Sequence, residues 1–235
     1  ATALTLALPA AVARSPIAPA SSVFGVTDAE LAPEAWISRL KTADAVMLDR
    51  VAIDARNVRL MQVDDSMHDL QALPAMLDRA TVNGWIQGLS QRPTRTLYDE
   101  SGQVVAASAI DAIVANVNLD AIPASQPTRY GMVVQRAALR GMPTSLRVFS
   151  SNDNTDIDRF QESAMFPGTP VAIVHASQDR HWLFVVSPRY AAWVEARFVA
   201  EGKADAVFAH AGKAPYRVVT GAKVRTVYTR EQPQL

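Results

Sequence analysis

The 235 residues contain no cysteine. That excludes a disulfide, a thiolate metal site, thioether attachment of haem and a cysteine nucleophile within these residues. Net charge is also missing: Lys+Arg 23 stand against Asp+Glu 23, so no global basic field points to nucleic acid. Among the basic residues lysine is scarce, with 4 against 19 arginines. No Walker loop, GxSxG elbow, HExxH helix or GxGxxG turn occurs. No apolar run reaches the roughly 20 residues that cross a bilayer, so no transmembrane segment is expected. What remains is a globular composition, 49% hydrophobic and 20% charged, long enough for one large domain or two small ones.

The neutral total hides a division. Residues 1–125 carry 9 Lys/Arg and 14 Asp/Glu, a balance of −5, and residues 126–235 carry 14 and 9, a balance of +5. Opposite signs suggest two units packed on each other through charge. The uncharged start, Ala1 to Ala13, resembles the apolar core of a secretory signal with a small-x-small step at Ala11-Val12-Ala13. The expectation is a signal-peptide remnant and flexible leader over 1–22, and hence export to the periplasm or cell envelope.

Two textures follow. Residues 23–124 read as a helical domain. Thr27 and Glu30 have capping-box spacing, Pro33 suits a first helical turn, and Asp49 can cap a helix with Val51, Val58 and Met61 as its apolar stripe. Pro74 opens a third helix with Leu77, Val82, Trp85, Ile86 and Leu89 inward. Residues 94–98 and 103–106 alternate around Ser101-Gly102 as a hairpin, and Ser108 caps a last helix through Val117. After a linker at 121–128, the runs at 130–134, 170–175, 182–186 and 192–194 are short strands between turn clusters, the pattern of a small all-β barrel over 125–201. A second run begins over 202–235, where Tyr216-Arg217-Val218-Val219 echoes the first barrel's opening. The fold class is therefore α+β: a helical N-terminal segment, a small barrel and the start of a second one.

The barrel texture carries a resemblance. Tyr130-Gly131, Leu139-Arg140-x-x-Pro143-Thr144, Phe160-Gln161-Glu162-Ser163-x-x-Phe166-Pro167-Gly168, Trp182-x-Phe184-Val185 and Ser187-Pro188-x-Tyr190-x-x-Trp193-Val194 together resemble the first bacterial SH3-like domain of NlpC-type peptidoglycan cysteine peptidases. Residues 34–118 resemble, more loosely, the helical segment before that barrel, and 215–235 the opening of a second SH3-like domain. The family is γ-D-glutamyl-L-diamino acid endopeptidase-like, and its chemistry sits in a papain-like domain with a cysteine nucleophile. With no cysteine here, no catalytic residue is assigned and no catalysis is expected from this chain alone. No cofactor or metal is expected either. The resemblance implies an accessory role: one wall of the substrate cleft, selecting stem peptides with a free N-terminal L-alanine ahead of the γ-D-glutamyl link. The partners implied are peptidoglycan stem peptides and the missing papain-like domain. The alternative is a stand-alone module that binds peptidoglycan or a partner protein.

Three residues are candidates for substrate binding. Glu162 offers a carboxylate for an ammonium group, and Tyr190 a hydroxyl beside it. Trp193 is the third, with packing in the barrel as its competing role. His175 and His181 flank a turn and read as surface histidines, with too few ligands nearby for a metal. The acidic stretch 152–158 lacks the glycine and terminal glutamate of a calcium loop.

Overall fold

The computed structural model describes residues 24–215. The leader expected at 1–22 and the second-barrel strands expected from Tyr216 onward lie outside the described residues. The chain divides into two compact units, 1–56 and 57–235. The sequence placed a boundary in the 121–128 linker, and the physical reason for the difference lies in the core of the second unit.

In the first unit, helix α1 (Pro33–Ile37) starts at the expected proline. The Thr27–Glu30 step forms as read: the Glu30 carboxylate accepts from the Thr27 backbone N–H at 3.0 Å and its hydroxyl at 3.1 Å. Asp49 caps helix α2 (Arg50–Val63), which runs across the division, by accepting from Ala52 N–H at 2.7 Å. The expected apolar stripe is not inward. Val51, Val58 and Met61 are exposed, and no residue of either helix is buried.

The second unit is built differently. Strand β1 (Met76–Asp78) leads into helix α3 (Arg79–Leu89), whose first turn is capped by Asp78 accepting from Thr81 N–H at 2.7 Å. The helix thus starts five residues after Pro74, because Leu77 is spent on a strand. The hairpin at 97–105 forms around Asp99 and Gly102, which takes φ 73° at the turn. Helix α4 (Ala107–Asn116) begins one residue before Ser108, which makes no cap. Strand β2 (Ser125–Pro127), inside the expected linker, pairs antiparallel with β1.

Seven strands then form one antiparallel sheet: β3 (Arg129–Val133), β4 (Ala137–Arg140), β5 (Gln161–Met165), β6 (Pro170–Ala176), β7 (Trp182–Val186), β8 (Ala191–Glu195) and β9 (Val199–Gly202), in the order β5-β4-β8-β7-β6-β3-β9. The order forces curvature. β3 and β4 stand four places apart, about 19 Å in a flat sheet. Val133 and Ala137 are four residue steps apart, a reach of at most about 14 Å. The sheet therefore coils into a barrel, as the strand texture predicted. Helix α5 (Ala204–Ala209) follows β9 and buries Val207.

Each central strand is buried on both faces, which is why PVAIVH and WLFVV read as continuous apolar runs rather than alternations. Val171, Ile173, Val185, Ala192 and Val194 point into the barrel with Val133, Leu139 and Met165. Ala172, Val174, Phe184, Val186 and Trp193 point outward, into a second core with Val82 and Ile86 of α3, Ile110 of α4, and Leu77 and Ile122. The helical residues from Leu70 to Ile122 thus share a core with the barrel, and the textures of the sequence are not separate bodies. Charge does not join them: among the described residues one ion pair, the exposed Glu100–Arg147, links the acidic half to the basic half.

Candidate functional site

Strand β5 is an edge strand with a fault in its register. Leu139 pairs with Ser163, but Arg140 pairs with Gln161, so Glu162 is an extra residue. Such a bulge turns the unpaired residue's side chain away from strict alternation. Here it aims the Glu162 carboxylate at the turn between β7 and β8. That turn is held by Ser187, which is buried; its hydroxyl donates to Tyr190 C=O at 2.9 Å and accepts from Tyr190 N–H at 3.1 Å. The turn is tied from outside by His68 N–H donating to Pro188 C=O at 3.0 Å.

Glu162 and Tyr190, 28 residues apart, meet at this rim. The Tyr190 hydroxyl donates to Glu162 Oε2 at 2.5 Å. The hydrogen bond to Glu162, then burial, then the carboxylate's charge push the phenol's pKa up to about 12. At neutral pH the phenol is therefore protonated and neutral. Glu162 Oε1 accepts no hydrogen bond from the described residues. It lies against Gly141, where an added Cβ would stand 3.1 Å from it. A Cβ at position 141 would press on this oxygen and shift the carboxylate by a few tenths of an ångström.

Trp193 is not at this rim. It is 0% exposed, packs edge-on against Phe184 and His175, and donates from Nε1 to the Ser90 hydroxyl at 2.9 Å. Ser90 passes the link on, donating to Gly141 C=O at 2.8 Å. Trp193 as a substrate contact is therefore corrected: it belongs to the core between barrel and helices, and it supports the rim through Ser90 and Gly141.

His175 is also not a surface residue. A bulge at Val174 shifts the β6–β7 register and turns His175 to the helix side. There its Nε2 lies 3.1 Å from both Val117 C=O and Asn118 C=O, and burial lowers its pKa. His181 stays exposed beside Asp179.

The loop from Gly141 to Phe160 is organised by a buried ion pair that the sequence offered only as part of a quoted motif. Arg140 Nη1 meets Asp158 Oδ2 at 2.5 Å, and the guanidinium also donates to Thr144 C=O and Leu146 C=O. The other Asp158 oxygen accepts from Val148 and Phe160 N–H groups. With every partner satisfied, the pair fixes the loop. Ser187, Gly141 and this pair were missed as site supports. Only Arg140, inside the Leu139-to-Thr144 stretch, and Ser187, inside the closing stretch, left a signal.

Among the described residues no group of three or more His, Asp or Glu side chains is placed to hold a metal ion, and no helix is long and apolar enough to cross a membrane.

No curated protein matches this sequence. A solved NlpC/P60 endopeptidase from Photobacterium damselae subsp. piscicida is similar at 21% identity and a TM-score of 0.49, over 68% of this chain. The chain spans 39% of that structure's length. The family model described as SH3 domain (SH3b1 type) matches residues 147–195, from the loop before β5 to the end of β8. Over those residues the barrel is similar to SH3 domains of the SH3b1 type, and Glu162, Tyr190 and Trp193 all fall inside the match.

Proposed function

We propose that this chain is an accessory module of cell-wall peptide cleavage, exported to the periplasm or cell envelope, whose barrel rim holds the free amino end of a peptidoglycan stem peptide. The observation that carries the reading is the Glu162–Tyr190 pair, a carboxylate with one uncommitted oxygen and a neutral phenol fixed beside it. An ammonium group has three donors and no acceptor. It would donate to Glu162 Oε1 and to the phenol oxygen, whose own O–H keeps its proton and goes on donating to Glu162 Oε2. A charge-assisted contact of this kind is about twice as strong as a neutral one. The SH3b1-type match supports a cell-wall role, and the resemblance of the barrel motifs supports a place beside a papain-like catalytic domain. With no cysteine in these 235 residues, the nucleophile would come from other polypeptide.

The test is calorimetric titration of the chain with L-Ala-γ-D-Glu-diamino acid tripeptide, free or N-acetylated. The free peptide should bind at least tenfold more tightly. Glu162→Gln should remove most of the difference, and Tyr190→Phe a smaller part. Equal binding of the free and acetylated peptides overturns the reading.

A further inference from the structure

A cleft of about 510 Å³ opens between three segments of the second unit. Helix α4 contributes Ala112, Ile113 and Asn116, the loop after β4 contributes residues 143–145, and the turn between β6 and β7 contributes Gln178, Asp179 and His181. The volume is in the range of small-ligand clefts. This cleft and the Tyr190 turn flank opposite ends of β7, about 13 Å of strand apart. Asn116 ties the three walls together. Its amide donates to Pro143 C=O at 2.9 Å and to Asp179 Oδ2 at 3.1 Å, and it accepts from Asp179 N–H at 3.1 Å.

The lining narrows the occupant. Trp182, at the start of β7, is 7% exposed and reaches the cleft. Its indole N–H makes no hydrogen bond among the described residues, yet none of their buried side-chain polar atoms is left without a partner. The N–H is therefore open to water, a donor that a ligand's acceptor can take over. Asp179 already accepts from the Ser177 hydroxyl at 2.5 Å, from the His181 N–H at 2.9 Å and from Asn116. A carboxylate has about four acceptor positions, so one is left, enough for a single hydroxyl or amide N–H. Among the described residues no Lys or Arg lines the cleft, so nothing there offsets the charge of an anion. Ala112, Ile113 and Pro143 supply an apolar face, and the Gln178 amide and Ser145 hydroxyl beside it are uncommitted among the described residues.

We infer that this cleft binds a glycan, through a neutral sugar that bears an acetamido group. Sugar hydroxyls donate and accept at once, which matches the mixed set of Gln178, Ser145 and Asp179. An acetamido group adds a carbonyl for the indole N–H and a methyl for the apolar face. A peptide matches less well. Strand addition needs an open sheet edge, and the edges are β5 and β9; helix docking needs an apolar groove, and this one is mixed. The inference goes beyond the amine site and uses none of its residues. It gives the chain a hold on the sugar half of the polymer whose peptide half the rim is proposed to take.

Calorimetric titration of the full chain with tri-N-acetylchitotriose and with cellotriose tests this, since the second has the same backbone with hydroxyls in place of the acetamido groups. The acetylated sugar should bind about tenfold more tightly. Ala112→Arg sets a long side chain at the mouth from an exposed helix position, and should abolish that binding with the urea unfolding midpoint unchanged. Gln178→Ala removes an amide that no described residue engages, and should weaken binding about fivefold. Equal binding of the two sugars, binding that survives both substitutions, or no binding at millimolar concentration overturns the inference. So does displacement of the sugar by the stem tripeptide, which would put both ligands at one site. A chain that binds the acetylated sugar but not the tripeptide keeps this inference and loses the amine reading; the reverse keeps the amine reading alone.

Discussion

The two units hold themselves together by different means. Among the described side chains of residues 24–56 none is buried, and the contacts are local. Glu30 accepts from Thr27 and pairs with Arg39, Arg39 lies over the Trp36 ring at 4.6 Å, and the Trp36 indole donates to Glu30 C=O at 2.7 Å. In the second unit the decisive contacts join distant residues, such as Ser90 with Gly141, 51 positions on, and with Trp193, 103 positions on. Local contacts are written in the sequence as spacings. Distant ones depend on how a sheet coils. The difference predicts that substitutions in the second unit are expensive and those in the first are cheap.

The largest effect belongs to the buried ion pair. Asp158→Ala leaves the Arg140 guanidinium, 4% exposed, without its counter-charge, and should cost about 3–5 kcal/mol in urea unfolding. The double replacement of Arg140 and Asp158 by Met and Leu should recover much of that loss, because neither charge is then stranded. If Asp158→Ala costs no more than a surface substitution, the loop is not organised as described. Next comes Trp193→Phe, which removes the indole N–H from Ser90 and leaves a small void. The expected cost is about 1–3 kcal/mol. A substrate-contacting tryptophan at an open rim would leave stability unchanged, so this measurement also tests the correction of its role.

Much of the barrel was legible. β7 matches the WLFVV run residue for residue, and β6 the PVAIVH run with one residue more, because fully buried strands are uninterrupted apolar runs between turns. The capping residues Thr27 and Asp49 were legible for the same reason of locality. Glu162 and Tyr190 were named from family-like motifs, but no spacing could show that they touch. Their meeting needs the one-residue bulge in β5, a property of how β4 and β5 pair. The shared core was hidden for a related reason. Val82 and Ile86 announce an apolar helix face, but nothing local says that its partner is the outer face of a barrel more than 80 residues downstream.

Intermediate effects fall at the rim. Tyr190→Phe removes one hydrogen bond to a charged, exposed partner and should cost about 1 kcal/mol at neutral pH. The phenol's folded-state pKa, about 12, lies above its ordinary value of 10.0. The protonated form is thus favoured by folding, so the stabilisation is fully present below pH 10 and is lost as pH rises towards 12. The absorbance titration of the wild type minus that of Tyr190→Phe should show one tyrosine ionising late. A step near pH 10 would mean that the Glu162 bond does not form in solution. By contrast, Trp36→Ala in the first unit should cost at most about 1 kcal/mol, the worth of one exposed cation–π contact and a hydrogen bond. A larger loss would mean that the first unit depends on more than its local contacts.

The smallest effect is the most direct test of the first unit's local character. The Thr27 backbone N–H, then Arg39, then the Thr27 hydroxyl hold the Glu30 carboxyl at about 2, against its ordinary value of 4.5. The depressed value means that folding favours the charged form. Its contribution is present above pH 4.5 and is lost as pH falls through about 2. Because Arg39 is exposed and Glu30 only half-buried, salt should weaken the Arg39 share, while the contact with the Thr27 N–H, set by the backbone turn, should persist. Carboxyl-carbon NMR of the intact chain would therefore show Glu30 titrating low in dilute buffer and moving only part of the way towards 4.5 in 1 M salt. Arg39→Gln should produce about the same partial movement without salt. Full return to 4.5 in either case would assign the depression to the ion pair and leave no role for the cap. A second-unit carboxylate such as Asp78, lowered first by the Thr81 backbone N–H and with no ion pair among the described residues, should barely respond to salt.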